Sequence, residues 1–109
     1  MKTKFKEFKD KPKVGDFVIC KAFDSDKKTE EKLNLYLENN IGVIYEFNEN
    51  RLKYNFIINY SEIPSKHIIN YFSKFNDMWQ IQINDDEILY HSPNKQPLKD
   101  IITAKKYNL

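Results

Sequence analysis

The chain has 109 residues, of which 40% are hydrophobic and 15% aromatic; this is enough apolar surface for one packed domain and excludes a disordered chain. Its 18 basic and 16 acidic residues leave a formal charge of +2, so the overall charge does not point to nucleic acid. A single cysteine excludes an internal disulfide, and no apolar run resembles a signal peptide or a membrane helix, so we expect a cytoplasmic protein.

The beginning of the chain is basic. Residues 1–14 carry six lysines against two carboxylates, a local charge of +4. We expect residues 1–13 to form a flexible basic arm ahead of a single folded domain, residues 14–109. Within the arm, lysines that can contact phosphates alternate with rings that can stack on bases. These candidate nucleic-acid contacts are Lys2, Lys4, Lys6, Lys9, Phe5 and Phe8.

A β-branched and aromatic run, residues 14–23, predicts the first strand. In an extended chain Phe17 and Ile19 share one face and Val18 and Cys20 the other, and both faces are apolar. We therefore expect this strand to be buried on both sides or to close a barrel.

The next segment, residues 24–38, changes in character. It fits a short helix with Leu33, Tyr36 and Leu37 on one stripe, and it fits equally a polar loop leading to alternating leucines. Residues 24–49 carry seven carboxylates against three lysines, a local charge of −4. This acidic stretch contrasts with the basic arm.

The clearest hairpin comes next. Alternating apolar residues at 43–47 and again at 52–60, separated by the turn residues "NENR", predict two paired strands whose tyrosines Tyr45, Tyr54 and Tyr60 point inward. The segment 61–72 fits either one helical turn or an edge strand.

A second hairpin is predicted from "MWQIQINDDEILYH", which turns at residues 84–86 and returns through Ile88 and Tyr90. A helix over residues 95–105 ends the chain, with Leu98, Ile101 and Ile102 on its apolar stripe. The fold class is mainly β: a small antiparallel barrel or bent sheet of five to six strands with a short C-terminal helix.

Both glycines of the chain begin apolar strands: Gly15 in "KVGDFVIC" and Gly42 in "NNIGVIYEF". A glycine at a barrel corner allows strained dihedrals or the close approach of a neighbouring strand. Over residues 13–60 this pattern resembles small barrels of the Src-homology-3 type, including their KOW and Tudor-like branches. The 27 positions that separate the glycines make a longer first loop than KOW motifs have, so no KOW-type RNA contact is carried over. In style the sequence is also similar to uncharacterised small proteins of phages and mobile elements in low-GC bacteria.

Catalytic and metal motifs are absent from the sequence. Cys20 lies inside an apolar strand, where a thiol keeps a high pKa and behaves as a small hydrophobe. A metal-assisted hydrolase using His91 with Asp85 or Asp86 is the enzymatic alternative, but a polar hairpin turn explains these carboxylates more simply. We therefore expect no enzyme, no cofactor and no metal.

Binding is the function that the residues favour. The resemblance to small barrels implies recognition of peptides or nucleic acid on an aromatic surface. We expect a non-catalytic module that binds a protein partner and, if the source is a mobile element, modulates or inhibits a host enzyme or defence complex. An RNA- or DNA-binding barrel that uses the basic arm is the alternative. The candidate partner-binding residues are Tyr36, Tyr71, Trp79, Glu30, Glu31 and Glu38.

Overall fold

A computed structural model of the protein describes residues 11–22, 28–53 and 55–107. The six strands are β1 (Phe17–Cys20), β2 (Gly42–Phe47), β3 (Phe56–Tyr60), β4 (Ser73–Phe75), β5 (Met78–Ile83) and β6 (Ile88–Ser92). The α-helices of the described residues are α1 (Lys28–Asn39) and α2 (Gln96–Tyr107), and short 3-10 turns occur at Ile69–Tyr71 and Asp85–Glu87. The predicted class, a mainly β fold with a short C-terminal helix, is confirmed.

The strands form one antiparallel sheet in the order β4-β5-β3-β2-β1-β6. It is not closed, since β4 and β6 stand at its two edges. Three strands separate β5 from β6, which in a flat sheet would place them about 19 Å apart. A compact 3-10 turn rises only about 2 Å per residue, so residues 84–87 join the two strands only if the sheet curls. The bent sheet predicted from the sequence follows from this connection.

The pairing of the first predicted hairpin is confirmed, but its second strand is shorter than predicted. β2 pairs with β3 through Ile44↔Ile58 and Phe47↔Phe56, whereas Leu52 is 99% exposed and precedes the strand. Tyr60 is buried as expected. The inward assignment of Tyr45 was wrong, because the register shifts between Ile44 and Glu46 and the residue at this bulge is 44% exposed. Tyr54 lies outside the described residues.

The second predicted hairpin was wrong in its pairing, although both of its strands form. β5 lies between β3 and β4, and β6 pairs with β1 through Val18↔His91 and Ile19↔Tyr90. Asn84 and Glu87 form a capping box that closes a 3-10 turn in place of a tight hairpin turn. The Lys21 backbone N–H then donates to the Glu87 carbonyl at 2.9 Å, which directs the chain to β1.

Both ambiguous segments resolve toward helical structure. The acidic segment forms α1, which buries Leu33 and Leu37. The segment 61–72 contains one 3-10 turn, Ile69–Tyr71, and leads into β4, with Ile68 and Phe72 buried. At the end of the chain α2 begins and ends within two residues of the predicted helix.

The core lies between α1 and one face of the sheet. Its members on the sheet include Val18, Cys20, Ile44, Phe56, Ile58, Tyr60, Ile81 and Ile83. Ile19 points away from this core because side chains alternate along β1, yet it is buried. Since α2 contacts β1 and β6 and buries Leu98, we attribute the burial of Ile19 to α2. The prediction that the first strand is buried on both sides is confirmed.

The two glycines have different structural roles. Gly15 has a φ of +96° with open space beside it, so its role is conformational. A Cβ on Gly42 would lie 2.5 Å from Ile58 Cγ2 and 2.8 Å from Tyr60 Cζ, so its role is steric. Gly42 lets the Tyr60 ring lie directly against β2, and this explains why a glycine begins that strand.

Candidate functional site

Besides the outer edges of β4 and β6, the second half of β5 forms an open edge of the sheet. β4 has three residues and pairs only with Met78–Gln80, whereas β5 continues to Ile83. In the part of the chain that the structure describes, no strand pairs with residues 81–83 on the side away from β3. This half of β5 is therefore a local sheet edge next to the core.

A groove of about 470 Å³ follows this edge. Leu33 and Leu37 of α1 face Ile81 and Ile83 of β5, so the floor is apolar. The lining residues are Ala22, Glu30, Leu33, Leu37, Ile57, Tyr71, Ser73, Gln80, Ile81, Gln82, Ile83 and Glu87. Among the lining residues that the structure describes, the charged ones are the carboxylates Glu30 and Glu87.

Helix α1 supplies one wall of the groove. Glu30, Leu33 and Leu37 recur at a spacing of three and four residues, which places them on one side of a helix. The Asn34 side chain accepts a hydrogen bond from the Ala22 backbone N–H at 2.6 Å and fixes α1 against the end of β1. The leucines are buried by this docking, and Glu30 lies one turn earlier on the same side.

The other borders are held by local turns. Glu87 Oε1 accepts a hydrogen bond from the Asn84 backbone N–H at 2.9 Å, which fixes the second carboxylate of the groove. Tyr71 ends a 3-10 turn in which its N–H donates to the Ile68 carbonyl at 2.9 Å. Its neighbour Phe72 is buried, so Tyr71 itself remains 41% exposed at the border of the groove.

Of the six predicted partner-binding residues, the groove brings together Glu30 and Tyr71. Tyr36 packs edge-on against Tyr60 and Phe72, and its hydroxyl donates to the Glu62 carbonyl at 2.6 Å. Burial and the nearby Glu62 carboxylate raise the pKa of Tyr36 to about 12. This tyrosine therefore serves the packing of α1 more than an open surface.

Three further candidates lie elsewhere. Trp79 packs against the core, with Lys74 Nζ 5.7 Å from its ring centroid. Glu31 is exposed and does not line the groove. Glu38 forms ion pairs with Lys21 at 3.9 Å and with Lys105 at 3.2 Å, so it ties α1 to the end of β1 and to α2.

The candidate nucleic-acid contacts of the basic arm, Lys2, Lys4, Lys6, Lys9, Phe5 and Phe8, all lie outside the described residues. A different exposed aromatic pair is present. Tyr45 of β2 and Phe75 of β4 have ring centroids 5.8 Å apart, and each is 44% exposed. The sequence pattern did not indicate this pair because the bulge in β2 turns Tyr45 outward.

The Cys20 thiol is buried, and His91 lies beside a carboxylate. Burial raises the pKa of the Cys20 thiol to about 12, and Glu87 adds to the shift, while Tyr60 opposes it. The Tyr60 hydroxyl is fully buried beside this thiol, and burial raises its pKa. His91 Nδ1 lies 3.5 Å from Asp16 Oδ2, whereas Asp85 and Asp86 are exposed.

Metal-binding clusters and membrane-spanning helices are absent from the described residues. Within residues 11–22, 28–53 and 55–107, no three His, Cys, Asp or Glu side chains are grouped so as to hold a metal ion. Neither α1 nor α2 of the described chain has the length and apolar character required to cross a bilayer.

Sequence reasoning missed Glu87 and the exposed edge of β5. Glu87 was assigned to a polar hairpin turn, and the capping pattern Asn84 to Glu87 was the signal that could have corrected this. The edge depends on where β4 ends, which no local pattern specified. No family model, curated protein or solved structure matches this chain.

Proposed function

We propose that this protein is a non-catalytic interaction module that binds a protein partner in the groove beside the open half of β5. The observation that carries the proposal is the combination of an apolar floor, two carboxylates and an uncovered strand segment at one place. Concave apolar sites with a few polar groups are typical binding sites. Exposed Tyr71 adds the amphipathic kind of side chain that is enriched in interfaces.

The finer fold assignment belongs to the same proposal. An open antiparallel sheet that curls until β5 and β6 are joined by one short turn is compatible with a small barrel of the Src-homology-3 type. Such barrels commonly serve as binding modules, which supports a role in interaction over one in catalysis. If the chain comes from a mobile element, we propose a host enzyme or defence complex as the partner that it modulates.

A capture experiment tests this function. The tagged full chain is incubated with lysate of the source organism or its host, with and without nuclease, and bound proteins are identified by mass spectrometry. We expect a stoichiometric protein partner that survives nuclease. Loss of every partner after nuclease treatment would contradict the proposal and favour nucleic-acid binding through residues 1–10.

Matched variants locate the binding surface. Glu30→Lys reverses a charge in the groove, and Glu31→Lys makes the same change one residue away on an exposed position outside it. We expect the first variant to lose most of the captured partner and the second to retain it. Equal capture by both variants would show that the partner binds elsewhere.

A further inference from the structure

We propose that the groove binds an extended, apolar segment of the partner flanked by lysine or arginine, and that this segment adds to the sheet as a strand beside residues 81–83 of β5. The inference rests on the proposed function and names the chemistry and geometry of its partner.

The strand edge gives the first reason. β4 pairs with β5 no further than Ser73↔Gln80, so among the described strands nothing continues its line along Ile81, Gln82 and Ile83. Backbone groups alternate sides along a strand, and those of Ile81 and Ile83 point to β3, so the groups open at this edge are the N–H and C=O of Gln82. Unpaired backbone groups at a sheet edge are a template for another chain. Strand addition uses such groups for affinity and side-chain pockets for specificity.

The walls give the second reason. Ile81 and Ile83 face the core together with Leu33 and Leu37, while Gln82 points to the opposite side of β5. A strand laid along this edge would place alternate side chains on these two sides. The aliphatic side chains beneath it are largely buried, with Ile81 8% and Leu33 4% exposed, so its core-facing side chains would meet a narrow apolar strip that favours valine, isoleucine or leucine.

The charges give the third reason. Among the described residues that line the groove, the charged ones are Glu30 and Glu87, and both are acidic. Because three residues of β5 span only about 10 Å, an added strand would place residues beyond its central three near the ends of the groove. Flanking lysines or arginines there would complement the two carboxylates and disfavour acidic competitors.

A labelled peptide tests the geometry directly. The probe is fluorescein-labelled Lys-Lys-Val-Thr-Val-Lys-Lys, titrated with the full chain and followed by fluorescence anisotropy. One control replaces the four lysines with glutamates. A second control keeps every side chain but methylates the backbone nitrogens of the three central residues, which removes their N–H donors.

We expect saturable binding of the basic peptide and at least tenfold weaker binding of both controls. The Glu30→Lys variant should weaken the basic peptide several-fold, and Glu31→Lys should leave its affinity unchanged. Hydrogen exchange at the Gln82 amide, which faces the open edge, should slow when the peptide is added. Equal binding of the N-methylated peptide, equal binding of the acidic peptide, or no binding at all would each overturn the added strand.

Two further outcomes distinguish the added strand from the proposed binding of a protein partner in the groove. If the captured protein depends on Glu30 but the peptide does not bind, the partner-binding groove stands and the added strand is wrong. If the Gln82 amide is already strongly protected without peptide, residues of the chain itself occupy the edge, and the inference is overturned as well.

Discussion

The corner around Gly42 and the groove along β5 differ in how completely they are filled. At the corner, Tyr60 and Ile58 lie so close to Gly42 that not even a methyl group fits. In the groove, about 470 Å³ remains open although its floor consists of core leucines and isoleucines. The corner is closely packed, whereas the groove retains open volume.

The difference has a physical origin in strand length. The corner is where β2, β3 and β1 supply side chains to one core, and close packing there stabilises the curl of the sheet. The groove exists because β4 ends after three residues while β5 continues. We infer that the corner serves stability and that the groove is free to serve binding.

The largest expected effect falls on the corner. Gly42→Ala should lower the free energy of unfolding by about 3 kcal/mol, because the new Cβ would overlap Ile58 Cγ2 and the Tyr60 ring. Urea unfolding of the variant and the wild type measures the loss. A change below about 0.5 kcal/mol would mean that the corner is looser than the structure shows.

The second effect is a loss of stability in alkaline solution. Cys20 has a pKa of about 12 in the folded protein against an ordinary value of 9.0, so below pH 9 the thiol is neutral in both states. Between pH 9 and 12 only the unfolded chain ionises, and stability falls by up to about 1.4 kcal/mol per pH unit from this group. Denaturant unfolding across this range should show a shallower fall for Cys20→Ala. An unchanged slope would contradict the burial of the thiol.

A smaller effect is expected at the other glycine. Gly15→Ala should cost about 1 to 2 kcal/mol, because the φ of +96° strains a residue with a Cβ although space is open there. Asparagine tolerates positive φ better than alanine, so Gly15→Asn should lose less stability. If alanine proves the milder of the two, backbone strain is not the reason for this glycine.

The smallest effect is expected in the groove. Glu30→Lys and Tyr71→Ala should each change the free energy of unfolding by no more than about 0.5 kcal/mol, because both side chains border open space. Thermal unfolding checks this. A loss comparable to that of Gly42→Ala would show that the groove residues belong to the packing and would weaken their assignment to binding.

Much of the fold was predictable because period-two alternation marks strands locally. The β2 and β3 pairing followed from alternating residues on both sides of a turn. The pairing of β6 was not predictable in this way, because its partner β1 lies about 70 residues earlier and the capping box at Asn84 redirects the chain. Nonlocal pairing leaves no periodic signal.

The candidate site was predictable only in part. Glu30 and Tyr71 were identified by residue type within an acidic stretch and among the exposed tyrosines, and both line the groove. Tyr36 and Trp79 are equally amphipathic, but Tyr36 packs against Tyr60 and Phe72, and Trp79 packs against the core. Residue type indicates which side chains suit an interface, whereas packing decides which of them remain accessible.

The most direct test of the central claim is hydrogen exchange measured on the full chain alone and in complex with its captured protein partner. We expect the slowing to concentrate at the Gln82 amide of β5 and at the neighbouring part of α1. Slowing confined to the exposed pair Tyr45 and Phe75, with the Gln82 amide unchanged, would contradict the groove as the binding surface.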